Sequence, residues 1–281
     1  GQEFTLTASQ TGDTTSANKK WTWDYDRECF KLVGPNANTE TITLQAIKAG
    51  TPSKGITATY ESGTHKGSKT VTPGVAQKEV TVSGITAADK VYDGNNSATV
   101  NASTATITGK VDGDDLTVSV AAGSTFDSAD AGSRTVTLGT LTLGGTSAGN
   151  YTLATAGNQT EAAANITARD LTVKPNSGQS KSYGTTPDPV LAYTSTGTVT
   201  GETAAFDGAL SREAGEDVGQ YDITKGSLEL KDSGTFKATN YNLVLDTAVV
   251  TFEITKVTYG GSAPTKTVNI LKNYAGVQTG T

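Results

Sequence analysis

The sequence predicts an all-β protein, a tandem array of small β-sandwich domains in an elongated arrangement, and three observations carry that prediction. The chain repeats itself in weakened form at an offset of roughly 90 residues, which marks a modular array. Its 281 residues include 32 glycines, no methionine and only 6% aromatics, with threonine the commonest residue, a composition of short strands joined by tight turns. Finally, short segments of alternating apolar and polar residues recur between turn-forming residues along the whole chain. A hydrophobic share of 35% is low for one large globule but suffices for thin sandwiches in which every second strand residue faces solvent.

Residues 1–77 form the first unit, with alternating segments at 4–8, 21–25, 30–33, 41–47, 56–60 and 69–72. In WTWDY, Trp21, Trp23 and Tyr25 share one face of a strand while Thr22 and Asp24 take the other, so the aromatic face is expected to cover the core. The stretch SGTHKG, which holds His65, reads as a turn. This unit resembles bacterial Ig-like domains, in which a central strand carries a tryptophan and a later ITAT-like strand closes the sheet.

The second unit, residues 78–170, alternates at 117–120, 135–138, 141–143 and 151–153. Its landmarks return in the third, residues 171–256. Val80, Thr81, Val82 and Lys90, Val91, Tyr92 answer to Leu171, Thr172, Val173 and Lys181, Ser182, Tyr183. Asn150, Tyr151, Leu153 answer to Asn240, Tyr241, Leu243, and Gly139 answers to Gly226, where a turn or bulge needs glycine. Tyr92, Tyr183, Tyr151 and Tyr241 recur at equivalent strand positions, which favours core packing with each hydroxyl reaching a backbone partner. A β-grasp variant with one short helix near 146–150 satisfies the same alternation. Each repeat is large enough to fold alone. Residues 257–281 read as the start of a further module or a C-terminal tail.

The motifs KVYDGNNSATV, GKVDGDDL, LGGTSAGNYTL and ANITARDLTV, in that order, make the second unit similar to the YDG domain of bacterial surface proteins. The third resembles its relative, the MBG ("mostly beta, glycine-rich") domain, through KSYGTTPDPVLAYTSTGTVTGE, GALSREAGEDVGQYDITKGSLEL, ATNYNLVL and VVTFEITK. These resemblances imply repeated extracellular modules of adhesin-like proteins at the bacterial cell surface and no catalytic activity. The function expected is that of a stalk, spacer or adhesive region. Alternatives are a module that binds a host glycan or host protein through the first unit, or accessory domains of a larger surface enzyme.

Net charge of −6 and a pI near 4.9 argue against nucleic acid or an anionic membrane as partner. No run reaches the ~20 apolar residues of a membrane span. The single cysteine, Cys29, excludes an intrachain disulfide. The chain starts GQEF with no charged and apolar leader and ends with no anchoring motif, so it is expected to be a piece of a longer, exported protein. The partners expected are an extracellular host glycan or protein, or neighbouring modules of the same chain, with the protein itself a monomer.

Four sets of residues stand out chemically. Trp21 and Trp23, the only tryptophans, with Asp24 and Asp26 beside them, form the candidate ligand-binding set; exposure of a tryptophan next to either acid favours it and burial of both tells against it. Asp93, Asp112, Asp114 and Asp115 are candidate calcium ligands, because hard oxygen ligands concentrated in loops brace module junctions, although the corresponding Thr200, Gly201 and Glu202 do not preserve the cluster. No other cofactor is expected. Lys90 with Asn150 and Lys181 with Asn240 compare with the lysine–asparagine isopeptide crosslinks of some Gram-positive adhesins. A turn asparagine and a snorkelling lysine account for the same pairs. Catalysis has little to work with, since His65 is the sole imidazole.

Overall fold

The structure is a computed structural model and describes residues 1–11, 19–34, 38–246 and 248–257; the expectation of a further module in the tail concerns residues outside this set from 258 onward. By contact the chain divides into two compact units, Gly1–Arg169 and Asp170–Thr281. Every regular element described is a strand, apart from two single 3-10 turns, Ala148–Asn150 and Ala238–Asn240. The short helix of the β-grasp variant is therefore present only as one such turn in each repeat.

The first domain is a sandwich of two three-stranded sheets. Strands β1 (Glu3–Thr7), β4 (Thr41–Ala46) and β3 (Phe30–Leu32) form one, in the order β1-β4-β3; β2 (Lys20–Asp24), β5 (Ile56–Ser62) and β6 (His65–Val71) form the other, in the order β2-β5-β6. Alternation decides which face is buried. Ile56, Ala58, Tyr60 and Ser62 point inward from β5, and Phe30, Ile42 and Leu44 meet Ile56 from the opposite sheet with Phe4 and Leu6 packed on them. Fully burying each such aliphatic or aromatic side chain contributes ~1.5–3 kcal/mol. β6 begins inside the stretch expected to be a turn. Gly63, at φ +56°, and Thr64 make the reversal, and His65 and Gly67 already belong to the strand.

The two repeats share one strand arrangement. In the first, Lys78–Ser83 lies between Thr106–Thr108 and Tyr151–Leu153, and Glu161–Thr167 lies between Gly132–Thr137 and Lys90–Val91. In the second, Arg169–Pro175 lies between Tyr193–Thr196 and Tyr241–Leu245, and Thr251–Thr255 lies between Gly219–Thr224 and Ser180–Ser182. Val80, Leu116 and Tyr151 centre the core of the first; Leu171, Leu228, Phe236, Phe252 and Ile254 are fully buried in the second.

The recurring glycine is explained by close approach. A Cβ at Gly139 would stand 2.3 Å from the Ala121 carbonyl oxygen, and one at Gly226, whose φ is +56°, 2.7 Å from that of Ala209.

Candidate functional site

The tryptophan face of the first domain is a row-by-row construction. Register places Trp21 beside Tyr60 and Gly67, and Trp23 beside Ala58 and Lys69, across β2, β5 and β6. Trp21 is buried, with its ring centroid 5.0 Å from that of Tyr60. Trp23 is half-buried and its indole N–H donates to the Thr39 carbonyl at 3.0 Å. A cleft of about 760 Å³ opens beside these rings, between residues 6–11 on one side and β6 on the other. Asp24 and Asp26 do not join it. Asp24 faces the other way and accepts from Lys54 Nζ at 2.6 Å, an exposed pair that draws its carboxyl below the usual range. Asp26 is buried as a loop clamp: Oδ2 accepts from the Ser53 hydroxyl at 2.7 Å and the Ser53 N–H at 2.8 Å, and Oδ1 from the Glu28 N–H at 2.9 Å. The Ser53 hydroxyl and these N–H groups hold its carboxyl down to about 2.

The four loop acids of the first repeat are not gathered around one point. Asp93 accepts from Lys90 Nζ at 2.7 Å, Asp115 accepts from the Thr146 N–H at 2.8 Å and hydroxyl at 3.0 Å, and Asp112 is exposed in a turn. Asp114 binds the Tyr151 hydroxyl. Among the described residues no group of three or more His, Cys, Asp or Glu is placed to hold a metal ion.

Tyr151 is the centre of a clamp that the sequence only half disclosed. Its hydroxyl accepts from the Val111 N–H at 3.0 Å and donates to Asp114. Burial first, and then the Asp114 carboxylate, push the phenol pKa up, so it remains a donor. The second repeat has the same device: the Tyr241 hydroxyl accepts from the Val199 N–H at 2.9 Å and donates to Glu202 Oε2 at 2.7 Å. Val111–Asp114 and Val199–Glu202 close matching turns over Gly113 at φ +88° and Gly201 at φ +90°. The acid expected to be lost at that position is thus kept as Glu202, with the Asp114 role.

The lysine–asparagine pairs are corrected by the geometry. Lys90 Nζ reaches Asp93, the Asn95 carbonyl at 2.7 Å and the Asn95 side chain at 3.0 Å, whereas Asn150 Oδ1 accepts from the Ala49 N–H at 2.9 Å. Lys181 Nζ is 2.5 Å from both Asp188 and Glu216, and the buried Asn240 stands in the 3-10 turn. Neither lysine bonds its candidate asparagine, because each is turned onto the loop that follows its own strand. Asn150 serves a different joint: with Gln77 Nε2 donating to the Gly149 carbonyl at 3.0 Å, it fastens the 3-10 turn of the repeat to the first domain.

Residues 76–160 match the family model of the YDG domain, and residues 171–251 match that of the MBG domain of the YGX type. The chain carries a YDG domain followed by an MBG domain. No curated protein matches it significantly. Among solved structures it is similar to the three N-terminal domains of the Highly Immunogenic Outer Capsid protein (Hoc) of bacteriophage RB49, at 19% identity over 85% of this chain and 77% of that one, with a TM-score of 0.22. It is also similar to an I-band fragment of titin, at 12% identity over 92% of this chain and 94% of that one, with a TM-score of 0.27. No helix among the described residues is long and apolar enough to cross a membrane, which says nothing about strands.

The MBG domain differs from the YDG domain at one polar cluster that spacing did not signal. Lys181 is buried, and Arg212 bridges Asp188 at 2.7 Å and Glu216 at 2.8 Å while its guanidinium lies over the rings of Tyr221, at 4.9 Å, and Phe252, at 5.5 Å. Asp188 and then Glu216 raise the lysine pKa; Arg212 first and then Lys181 lower that of Asp188. Charges withdrawn from water need this degree of mutual pairing. The cluster occupies the inward side of the strand, and Tyr183, expected in the core with the other three tyrosines, is 52% exposed. Tyr92 of the YDG domain, at the equivalent position, is buried.

Proposed function

We propose that this chain is a non-catalytic part of an exported bacterial cell-surface protein, in which the β-domains act as a stalk or spacer that holds a terminal binding region away from the cell. The observation that carries this reading is the reuse of one build in the YDG and MBG domains. Strand order, the tyrosine clamp and a lysine fastened to the loop after its strand recur, while the polar groups around that lysine differ. A scaffold repeated with variable loops supplies length and spacing. The Ala49–Asn150 and Gln77–Gly149 bonds supply stiffness at the first joint. An acidic, threonine-rich surface keeps lateral association low.

Small-angle scattering of the full chain, compared with a chain lacking residues 171–256, tests the reading. The expected result is an extended particle whose maximum dimension falls by one domain length on deletion. A compact particle whose maximum dimension hardly changes overturns it.

A further inference from the structure

The first domain has an open side. β6 pairs with β5 in register along all seven of its residues, so alternate N–H and C=O groups point to its outer edge, yet every one of the seven is exposed, including His65, Gly67, Lys69 and Val71 on the face that β5 buries. Among the described residues β6 ends its sheet and β1 ends the facing one, so the cleft described above lies between two strands whose outer backbone edges no described strand pairs. Such an edge pairs readily with another extended chain.

The floor and wall of the cleft are specific. Ala58 and Gly67 are the two small residues in the rows Trp23–Ala58–Lys69 and Trp21–Tyr60–Gly67, and they leave a notch between aromatic rings. A Cβ built on Gly67 meets nothing within 4 Å, and its φ lies outside the positive range, so this glycine serves space and not backbone conformation. The buried indole N–H of Trp21 has no acceptor among the described residues, where such groups are usually paired. Lys69 puts a cation on the inward face; unlike Lys66, which bonds Glu61 at 2.5 Å, it has no ion-pair partner among the described residues.

We propose that this cleft is a strand-accepting site, which takes an extended peptide segment along the free edge of β6 and sets a carboxylate side chain of that segment on Lys69. Main-chain hydrogen bonds to the edge supply general affinity, and alternate side chains of the incoming strand read the notch and the cation. The inward row of the guest is apolar at the aromatic rings and acidic opposite Lys69; its outward row is polar. The charge selects the partner, since a strand with lysine at that position meets a like charge.

The test uses the full chain and a fluorescently labelled, end-capped peptide, Thr-Val-Thr-Glu-Thr-Val-Thr, whose length matches β6 and whose even positions share one face. Saturable binding by fluorescence anisotropy is expected in the range of about 1–100 µM. Replacing the central glutamate by glutamine weakens it about ten-fold or more, Lys69→Ala removes that difference, and Gly67→Phe fills the notch and abolishes binding. Circular dichroism melting of Gly67→Phe and Lys69→Ala establishes that both remain folded. A peptide N-methylated at alternate residues, unable to complete the ladder, is expected not to bind. Absence of saturable binding up to about 1 mM, equal affinity for the two peptides, full binding to Gly67→Phe, or binding of the N-methylated peptide each overturns the proposal. So does a uronic-acid tetrasaccharide that binds in a manner blocked by Gly67→Phe while the peptide does not, since the cleft then belongs to acidic glycans.

Discussion

Removal of the Tyr151 hydroxyl isolates one clamp without disturbing its surroundings. In Tyr151→Phe the ring stays buried and packed on Val80 and Leu116, so the apolar contribution is unchanged. What is lost is an acceptor for the half-buried Val111 N–H and a donor for Asp114. Leaving such a donor unpaired costs about 1–3 kcal/mol, more than the net value of an ordinary exposed hydrogen bond. For a domain of this size each kcal/mol lowers the melting temperature by about 4–8 °C. Tyr241→Phe strips the Val199 N–H and Glu202 in the same way, and its loss belongs to the other compact unit. Urea denaturation of the two single variants and the double variant is the assay. Each single change is expected to weaken its own transition by about 1–3 kcal/mol, with additivity within about 0.5 kcal/mol because the sites share no partner. Equal stability of Tyr151→Phe and the parent refutes the clamp, as does a loss in Tyr151→Phe that persists undiminished when Val111 and Asp114 have already been replaced by proline and alanine.

Asp26 makes the first domain acid-sensitive. Its folded-state carboxyl titrates at about 2, below the ordinary 3.8, so its stabilising contribution is complete above pH about 4 and lost as pH falls toward 2. Denaturation midpoints of Asp26→Asn are expected to lack that decline between the two values while the parent shows it. Gly139→Ala and Gly226→Ala each drive a methyl group into a carbonyl oxygen and cost more than about 1 kcal/mol, whereas Gly149→Ala, with open space and no positive φ, stays within about 0.5 kcal/mol of the parent by thermal melting. Asn150→Ala removes the acceptor of the Ala49 N–H; hydrogen exchange at Ala49 is expected to accelerate while strand 161–167, which pairs with a strand on each side, keeps its protection.

The strands were legible wherever alternation had a buried face to serve. Segments 117–120 and 151–153 coincide with the observed strands because their inward residues meet a core and their outward ones meet water. β6 was only half legible: the alternating segment 69–72 overlaps its end, but both of its faces are exposed, so no apolar pattern marks 65–68, and Gly67 resembles a turn residue although Gly63 and Thr64 turn the chain. Within the candidate sites, spacing along the chain misled where partners come from distant loops. Asp26 looked like a ligand-binding acid until Ser53, from the loop before β5, was seen to occupy it. Lys181 looked like the partner of Asn240, but Asp188, in the loop after its own strand, and Glu216, 35 residues on from the lysine, hold it. The tyrosine clamp was half visible: the backbone partner followed from burial of a phenol, while the substitution of glutamate for aspartate concealed the shared acid.

In both repeats a strand near the start lies parallel to the closing strand: Lys90–Val91 against Ile166–Thr167, and Ser180–Ser182 against Glu253–Thr255. Tension entering at one end of a repeat and leaving at the other drags such neighbours past each other along their length. Their hydrogen bonds then resist together in shear, where a hairpin pulled at its open end parts one bond at a time. Survival under load follows the unfolding rate and not the equilibrium stability. A domain of modest thermodynamic stability can therefore keep its length under drag if such parallel strands are sheared and never peeled.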